Sequence, residues 1–299
     1  MMPDKKKTAF VALIGRPSAG KSTLVNKICG QKVAIVSDVP QTTRNAIRGI
    51  FNSEKGQLVF IDTPGMHKSK KKLNLKLMDV SQRAVSDSDL IIYMIDSTRP
   101  PGEEEAGIAS FIVPHSPRTI IAINKTDIAN GNNLVLIHKF LAEKLPGIDE
   151  KCIFEISAKT KAGLEAMLNA LFDMAGEGEA FYEKEYYTDQ EVDFRIAEII
   201  REQAIKRLRQ ELPHALYVDI ADSQFLADEK LFVRAFIVVE RESQKGIVVG
   251  AGGAMIKSIR LAALKELRKI FDWKIELDLR VKTGKDWRQK DNVLRLLLH

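Results

Sequence analysis

The sequence predicts an α/β fold with a doubly wound, mostly parallel sheet, followed by a smaller α+β domain. Three observations support this prediction. Short apolar runs alternate with helical stretches up to about residue 175. Polar motifs follow the ends of those runs, which is typical of doubly wound sheets. A different order of elements, with a helix before two strands, begins near residue 190.

The strands of the first domain are predicted from runs rich in Ile, Val and Phe. Such nearly continuous apolar strands are typical of a sheet that helices bury on both faces. The runs cover residues 10–14, 58–61, 90–95, 119–123 and 152–156. Helices are predicted between them, including one over residues 132–145 that ends at Pro-Gly and one over residues 164–174. This βαβ order predicts a domain over residues 1–175.

A change in composition after residue 175 predicts a linker over residues 176–189 and a second domain over residues 190–299. The linker begins with Gly-Glu-Gly-Glu and then carries acidic residues and tyrosines without a clear period. Beyond it, a helix with one apolar face stops before Pro213. The next predicted elements are strands over residues 216–220 and 231–239, a glycine-rich loop over residues 246–253, a helix over residues 254–271 and a strand over residues 274–282. The last dozen residues stay unassigned.

Length and composition limit the class of protein. The chain has 299 residues, 45% hydrophobic and 29% charged, which suffices for two packed domains. It lacks an apolar run of the about 18 residues that a membrane span requires. Its first residues resemble neither a secretory signal nor a transit peptide, so we expect a cytoplasmic bacterial protein. The two cysteines and five scattered histidines argue against a disulfide framework or a metal site built on them.

The positive charge of the chain is concentrated at one end. Of the formal net charge of +6, residues 241–299 contribute fourteen Lys or Arg against seven Asp or Glu, an excess of seven. A basic excess of this kind indicates a polyanionic partner such as nucleic acid, although basic surface helices also serve solubility alone.

The first motif is the octet Gly-Arg-Pro-Ser-Ala-Gly-Lys-Ser, which lies between a predicted strand and a predicted helix. In a phosphate-binding loop, backbone N–H groups converge on the phosphates, the Lys neutralises them and the last hydroxyl binds Mg²⁺. The residues predicted to bind the phosphates are Gly15, Arg16, Pro17, Ser18, Ala19, Gly20, Lys21, Ser22 and Thr23.

A second motif, Asp62-Thr63-Pro64-Gly65, directly follows the strand predicted over residues 58–61. In this position the carboxylate of Asp62 is expected to reach Mg²⁺ through water. The N–H of Gly65 is expected to meet the γ-phosphate. All four residues are predicted to contact the nucleotide.

A third motif, Asn124-Lys125-Thr126-Asp127, ends the strand predicted over residues 119–123. The carboxylate of Asp127 can accept hydrogen bonds from guanine N1–H and from the exocyclic amine. Adenine presents an acceptor at N1 and has no such amine, so a carboxylate left unpaired would discriminate against it by about 10⁴ to 10⁵. Asp127 is therefore predicted to select guanine, and Asn124 and Lys125 are predicted to bind the nucleotide with it.

A fourth motif, Ser157-Ala158-Lys159, follows the strand predicted over residues 152–156. All three residues are predicted to lie at the base, with the Ala158 N–H donating to guanine O6. Four motifs in this order, each at the end of a strand, predict a P-loop GTPase domain that binds GTP or GDP with Mg²⁺.

A threonine between the first two motifs is predicted to ligate Mg²⁺ and to sense the γ-phosphate. Thr42 and Thr43 both fit, and Thr43 is preferred. The predicted metal ligands are Ser22, Thr43 and Asp62, and the predicted catalytic residues are Lys21, Thr42, Thr43, Asp62 and Gly65. Met66 stands where signalling GTPases place a water-orienting Gln, so slow intrinsic turnover is expected.

The glycine-rich loop of the second domain, Gly250-Ala251-Gly252-Gly253, resembles the Gly-x-x-Gly loop of a type II KH domain. In such domains the loop clamps the backbone of about four nucleotides of single-stranded RNA. An amphipathic, basic helix follows it in this chain. The residues predicted to contact RNA are Lys245, Gly246, Gly250, Ala251, Gly252, Gly253, Lys257 and Arg260.

The whole chain resembles the Era family of bacterial GTPases. The resemblance rests on Pro-Gln-Thr-Thr-Arg at residues 40–44, on Met66, and on Glu-Arg-Glu-Ser-Gln-Lys-Gly at residues 240–246 before the KH loop. It implies a GTP-driven switch that binds the 3′ end of 16S ribosomal RNA and acts in rRNA processing and small-subunit (30S) assembly. It also implies a cytoplasmic monomer and peripheral association with the inner membrane.

One departure from the family pattern concerns the RNA loop. Family members usually carry Lys within it, where this chain has Ala251. We therefore expect weaker and less salt-dependent RNA binding than in a chain with that Lys.

Two other functions stay open at this point. A signalling-type GTPase whose second domain binds a protein or a membrane would fit the basic helix and leave the glycine loop unexplained. A plain GTP hydrolase is less well supported, because no second substrate pocket is predicted. RNA-stimulated turnover would distinguish the RNA switch from both.

Overall fold

A computed structural model describes residues 6–67, 71–209, 211–226 and 229–298, and these divide into two units. Of the described residues, those in 6–34, in 43–189 and at 298 belong to the first unit, and those in 35–42 and 190–297 belong to the second. The chain thus enters the second unit twice, first for a stretch of eight residues and then for its C-terminal part.

The first unit is built on one sheet with the strand order β2-β3-β1-β4-β5-β6, and β7 pairs with β1 beside this path. Its strands are β1 (Lys7–Gly15), β2 (Ile47–Ser53), β3 (Gly56–Asp62), β4 (Leu90–Asp96), β5 (Thr119–Asn124), β6 (Ile153–Glu155) and β7 (Gly176–Glu177). Pairs among β3, β1, β4, β5 and β6 are parallel, whereas β2 pairs antiparallel with β3. The predicted doubly wound sheet is confirmed, and β2 and β7 are additions that the apolar runs did not reveal.

Helices of the first unit alternate with its strands. They are α1 (Lys21–Cys29), α2 (Lys72–Ser86), α3 (Glu103–Ile112), α4 (Gly131–Lys144) and α5 (Leu164–Met174). The β4 and β5 side chains that face α3 and α4 form a core with Ile108, Ile112, Ile137 and Leu141. Every residue of β4 and β5 is buried, including the polar residues at their carboxyl ends, Asp96 and Asn124, which bond to neighbouring loops.

Residues 176–189, the predicted linker, lie against the sheet of the first unit. β7 pairs antiparallel with Lys7 and Thr8 of β1, at positions that precede the first contact of β1 with β4 at Val11. Further along, the Tyr187 carbonyl accepts from the Ile50 N–H of β2 at 2.9 Å. The segment therefore packs along the sheet, and the chain passes into the second unit only at residue 190.

The second unit is a three-stranded sheet covered by helices. Its elements are α6 (Val192–Arg207), β8 (Leu216–Leu226), β9 (Lys230–Val239), α7 (Glu242–Val249), α8 (Ala254–Leu267), β10 (Lys274–Thr283) and α9 (Asp291–Leu297). The strand order is β10-β9-β8, with β9 parallel to β10 and antiparallel to β8. Alternate residues of β9 and β10 point into a core shared with α6 and α8.

Two helices of the second unit were not predicted. α7 occupies residues that the sequence assigned in part to the glycine-rich loop, because Gly246 lies inside it. α9 forms in the unassigned C-terminal residues and buries Leu294. No single helix in the described ranges has the length and composition of a bilayer span. α7 and Ala251–Leu267 reach that length and composition only when they are taken together, and a 44° bend separates them.

Candidate nucleotide and RNA sites

The phosphate-binding octet forms the loop between β1 and α1. Residues 15–20 make the turn, and Lys21, Ser22 and Thr23 begin the helix, so the N–H groups of the first helical turn are free to face an anion. Lys21 is buried and its Nζ donates to the carbonyl oxygens of Gly15 and Arg16, each at 3.1 Å. Burial lowers the pKa of this ammonium to about 8, and the nearby carboxylates of Asp62 and Glu105 oppose the shift. A phosphate would supply the anion that such a buried cation lacks.

At Gly20 and Gly65, neighbouring atoms lie too close to leave room for a side chain. A Cβ on Gly20 would lie 2.3 Å from Nδ2 of Asn124, and Gly20 has φ of 103°, which side chains rarely adopt. A Cβ on Gly65 would lie 2.5 Å from Cα of Pro17. The phosphate loop is therefore in contact with both the second and the third motif.

Three predicted metal ligands converge at the start of α1. Ser22 Oγ donates to Asp62 Oδ2 at 2.6 Å and lies 3.0 Å from Thr43 Oγ1, and Thr43 Oγ1 lies 3.4 Å from the same carboxylate oxygen. The other oxygen of Asp62, Oδ1, is buried without a hydrogen-bond partner among the residues described. Burial raises the pKa of Asp62 to about 6 against the effect of Lys21. This cluster of oxygen atoms with one unsatisfied carboxylate oxygen fits Mg²⁺.

Thr42, the alternative ligand, is not part of this cluster. Its hydroxyl lies 2.6 Å from Ser37 Oγ and donates to the carbonyl oxygen of Val39 at 2.6 Å. The structure thus brings Thr43 to the predicted metal position and directs Thr42 toward its own loop.

Met66 is a core residue. Its side chain is 6% exposed and packs with Tyr93 and Ile108, while its N–H donates to the Gly15 carbonyl at 3.1 Å. A buried thioether neither orients nor polarises a water molecule. Two residues of the second motif are also fixed by hydrogen bonds. Thr63 Oγ1 donates to the Leu13 carbonyl, and the Pro64 carbonyl accepts from Ser81 Oγ.

Asn124 connects the phosphate loop with the fourth motif. Its Nδ2 donates to the Ala19 carbonyl at 2.8 Å, and its Oδ1 accepts from the Ala158 N–H at 2.9 Å. The Ala158 N–H, which was expected to donate to guanine O6, thus donates to Asn124 in this structure. Asn124 acts here as a brace between loops.

The carboxylate of Asp127, which is predicted to select guanine, is exposed and is oriented by Ser157. Asp127 Oδ1 accepts from Ser157 Oγ at 2.7 Å, and the carboxylate has room for a second set of donors. Lys125 Nζ lies 2.8 Å from Asp96 Oδ2, an ion pair that fixes the ammonium, and Lys159 is exposed. The two predicted base motifs therefore meet at the carboxyl ends of β5 and β6.

Sequence reasoning missed a buried ion pair behind the phosphate loop. Arg16 Nε lies 2.6 Å from Glu105 Oε1, and both side chains are buried. The Tyr93 hydroxyl donates to the other oxygen of Glu105. Burial raises the pKa of Glu105, while Tyr93 and Arg16 favour its charged form. Nothing in the acidic run at the start of α3 distinguished Glu105 from the two glutamates before it.

The predicted RNA loop joins α7 to α8. Gly250, Gly252 and Gly253 have φ of 73°, 55° and 80°, conformations that favour glycine. A Cβ on Gly252 or Gly253 would meet none of the described atoms within 4 Å, so this side of the loop is open to a ligand. Lys257 is exposed, Lys245 and Arg260 are half-buried, and Ala251 is exposed at the loop tip. Of the predicted RNA residues, Gly250 to Gly253 form the loop itself, Lys257 lies one turn into α8, and Lys245, Gly246 and Arg260 lie further along the two helices.

Comparisons with known proteins agree with both predicted domain types. A family model described as 50S ribosome-binding GTPase matches residues 10–125, and a KH domain model matches residues 211–288. The GTPase Era of Treponema denticola is 52% identical over 289 residues, which cover 96% of this chain and 98% of that protein. The GTPase Era of Borreliella burgdorferi is 46% identical over 98% of this chain and the whole of that protein.

Two solved structures match nearly the full length. One is a tyrosine-to-alanine variant of Era from Aquifex aeolicus bound to GDP and AlF4⁻, with TM-score 0.91 and 32% identity over 97% of this chain and 98% of that one. The other is Era in complex with MgGDPNP and nucleotides 1506–1542 of 16S ribosomal RNA, with TM-score 0.92 and 33% identity over the same shares of the two chains. With its GTPase and KH units, both sets of motifs and relatives of this identity, the chain belongs to the Era family of GTPases.

Proposed function

We propose that this chain is a GTP-driven switch that binds the 3′ end of 16S ribosomal RNA and acts in rRNA processing and small-subunit assembly. The observation that carries the proposal is the presence, in one chain, of two features. One is the cluster of oxygen atoms from Ser22, Thr43 and Asp62 that fits Mg²⁺, called the metal-type cluster below, and the other is a glycine loop that is open to a ligand. The Era structure that holds both MgGDPNP and 16S rRNA supports it, because this chain matches that structure over 97% of its length.

For the nucleotide, we assign roles according to position. Lys21 and the N–H groups at the start of α1 bind the phosphates, and Gly65 supplies an N–H toward the γ-phosphate. Asp127 accepts from the guanine edge, and Asn124 holds the two base loops in place. These groups orient GTP without providing a general base.

Ser22, Thr43 and Asp62 are the residues that would hold Mg²⁺. When bound, the ion neutralises the charge of the β- and γ-phosphates. Because Thr43 reaches this cluster through a loop, its position depends on what occupies the phosphate site. Slow hydrolysis follows from the burial of Met66, since that side chain cannot orient the attacking water.

For RNA, we assign the backbone of residues 250–253 to the phosphate groups of a short single strand. The loop is open on the side of Gly252 and Gly253, and a basic side chain, Lys257, is exposed one turn into α8. Because Ala251 carries no positive charge, the electrostatic contribution to this binding is smaller than with Lys at this position. We place this activity in the cytoplasm. The family resemblance also leads us to expect peripheral association with the inner membrane.

Fluorescence anisotropy tests the proposal. A labelled oligonucleotide matching the 3′ end of 16S rRNA, and a scrambled control, are titrated with the full chain in GDPNP and in GDP. The proposal expects tighter binding of the matching oligonucleotide in GDPNP. Equal binding of both oligonucleotides, or no binding in either state, would contradict it and favour a protein or membrane partner.

A further inference from the structure

The switch segment, defined here as residues 35–42, lies in the second unit, whereas the residues on either side of it lie in the first. Its last residue, Thr42, is joined by one peptide bond to Thr43, which is 3.0 Å from Ser22 in the metal-type cluster. A shift of Thr43 therefore moves Thr42 with it, and whatever holds Thr42 in the second unit experiences that shift.

Arg201 of α6 holds the end of the switch segment. Its Nη2 donates to the carbonyl oxygen of Thr42 at 2.6 Å. Glu198 fixes the guanidinium with two further contacts, to Nε at 2.7 Å and to Nη2 at 2.6 Å. The Arg201 side chain is only 3% exposed, so this charge-assisted hydrogen bond is shielded from water.

Glu202, the next residue, holds the start of the segment. Its Oε1 accepts from the Val36 N–H at 3.1 Å and lies 3.1 Å from Lys206 Nζ. Its Oε2 accepts from Gln203 Nε2 at 3.1 Å. This carboxylate is 2% exposed. Two consecutive charged residues of one helix therefore contact both ends of an eight-residue segment.

Burial of these charges is difficult to explain by stability alone. Charged side chains are almost never fully buried without partners, and replacing a buried ion pair with apolar residues is often neutral or stabilising. Both residues find partners in the switch segment, and both would lose a partner if the segment moved away. A charge left buried without its partner is strongly unfavourable, so the arrangement favours one discrete position of the segment.

We infer that Arg201 and Glu202 are positioning residues that transmit the state of the nucleotide site, through the switch segment, to the unit that carries the KH loop. The inference rests on the proposed RNA switch and names the residues that couple it. With Thr43 in the metal-type cluster, Arg201 and Glu202 hold both ends of the segment. Departure of Thr43 removes the Thr42 carbonyl from Arg201 and changes the packing of α6.

The test uses the full chain and measures the ratio of oligonucleotide Kd values in GDP and in GDPNP. Arg201→Met removes the donor and keeps much of the volume, and we expect it to reduce this ratio by about tenfold, since it deletes one charge-assisted hydrogen bond. Arg201→Lys keeps a donor and should restore part of the ratio. The matched control is Arg195→Met on the same helix, whose guanidinium lies over the Phe271 ring, and it should leave the ratio unchanged.

Hydrogen–deuterium exchange of residues 35–42 supplies a readout that general destabilisation would not produce. In GDPNP, Arg201→Met should speed exchange in this segment while exchange in β4 and β5 stays as in the wild type. If Arg201→Met does not fold, Glu202→Gln serves as the second variant. It keeps an acceptor for the Val36 N–H, so we expect a smaller effect in the same direction.

Three results decide the matter. A wild-type ratio near one would overturn the proposed switch, and the inference with it. A clear wild-type ratio that persists in both folded variants would overturn the inference alone. Loss of the ratio in Arg201→Met or Glu202→Gln, with the control unchanged, supports it.

Discussion

The nucleotide site and the RNA loop differ in what holds them together. At the nucleotide site, side chains from distant positions bond to one another: Ser22, Thr43 and Asp62 meet within 3.4 Å, and Asn124 braces two loops. At the RNA loop, three glycines with positive φ set the backbone, and the space beside Gly252 and Gly253 is open. One site is organised by side-chain contacts and the other by main-chain conformation.

This difference predicts how each site responds to mutation. At the nucleotide site, a single side chain makes each key contact, so its loss removes a large part of the free energy of nucleotide binding or turnover that depends on that contact. Contacts made by several backbone N–H groups are hardly touched by any single side-chain substitution. Substitutions should therefore have their largest effects at the nucleotide site and their smallest at the RNA loop.

The largest effect is expected at Asp127. Asp127→Asn replaces a double acceptor with an amide, so guanine loses its matching partner and xanthine, whose C2 carries an oxygen, gains one. We expect the preference for GTP over XTP to change by about 10⁴, the range available to a site built on hydrogen bonds. Competition binding with labelled GDP against XDP measures it.

A matched substitution controls for charge. Asp173→Asn removes an exposed carboxylate at the end of α5 and should leave the base preference unchanged. If Asp127→Asn kept the wild-type selectivity, the base site would depend on backbone contacts, and the contrast between the two sites would disappear.

The neighbouring threonines give the next largest effect. Thr43→Ala removes a hydroxyl from the oxygen cluster with Ser22 and Asp62, and we expect GTP turnover to fall by at least about 10- to 100-fold, the range for losing a residue that only orients metal ligands. Thr42→Ala removes a hydroxyl that bonds within its own loop and should change turnover by less than about threefold. Single-turnover hydrolysis across a Mg²⁺ titration measures both, and the reverse order would show that Thr42 is the ligand.

The sequence predicted the fold and the nucleotide motifs for a physical reason. Buried parallel strands need continuous apolar runs, and the chemistry of phosphates, Mg²⁺ and guanine requires particular residues where those strands end. The structure confirms the doubly wound sheet and brings Ser22, Thr43 and Asp62 together. It also places Thr43, and not Thr42, beside Ser22 and Asp62, a distinction that local sequence could not make because the two residues are adjacent and identical.

Interactions between distant parts of the chain were beyond sequence reasoning. The apolar pattern of α6 predicts Ile196, Ile199 and Ile200 as its inner face, and these residues are buried. Arg201 and Glu202 are buried as well, because another segment of chain covers their side of the helix. Glu105 is a similar case, since its partner Arg16 is distant in sequence.

The smallest effect is expected at the tip of the RNA loop. Ala251 is exposed, so Ala251→Lys adds a positive charge next to the backbone that is proposed to clamp phosphates. For one added phosphate contact, RNA binding should tighten by about fivefold, and the slope of log K against log salt should steepen by about 0.7. Ala221→Lys, at an exposed position of β8, adds the same charge elsewhere and should change neither quantity.

The salt series separates two explanations of a small gain. A local phosphate contact tightens binding at low salt and steepens the slope, whereas a better-packed loop would tighten binding equally at every salt concentration. If Ala251→Lys tightened RNA binding by more than a hundredfold, side chains would dominate this loop as they do the nucleotide site. If it changed neither quantity, residue 251 would face away from the phosphates, and the loop would bind through its glycines alone.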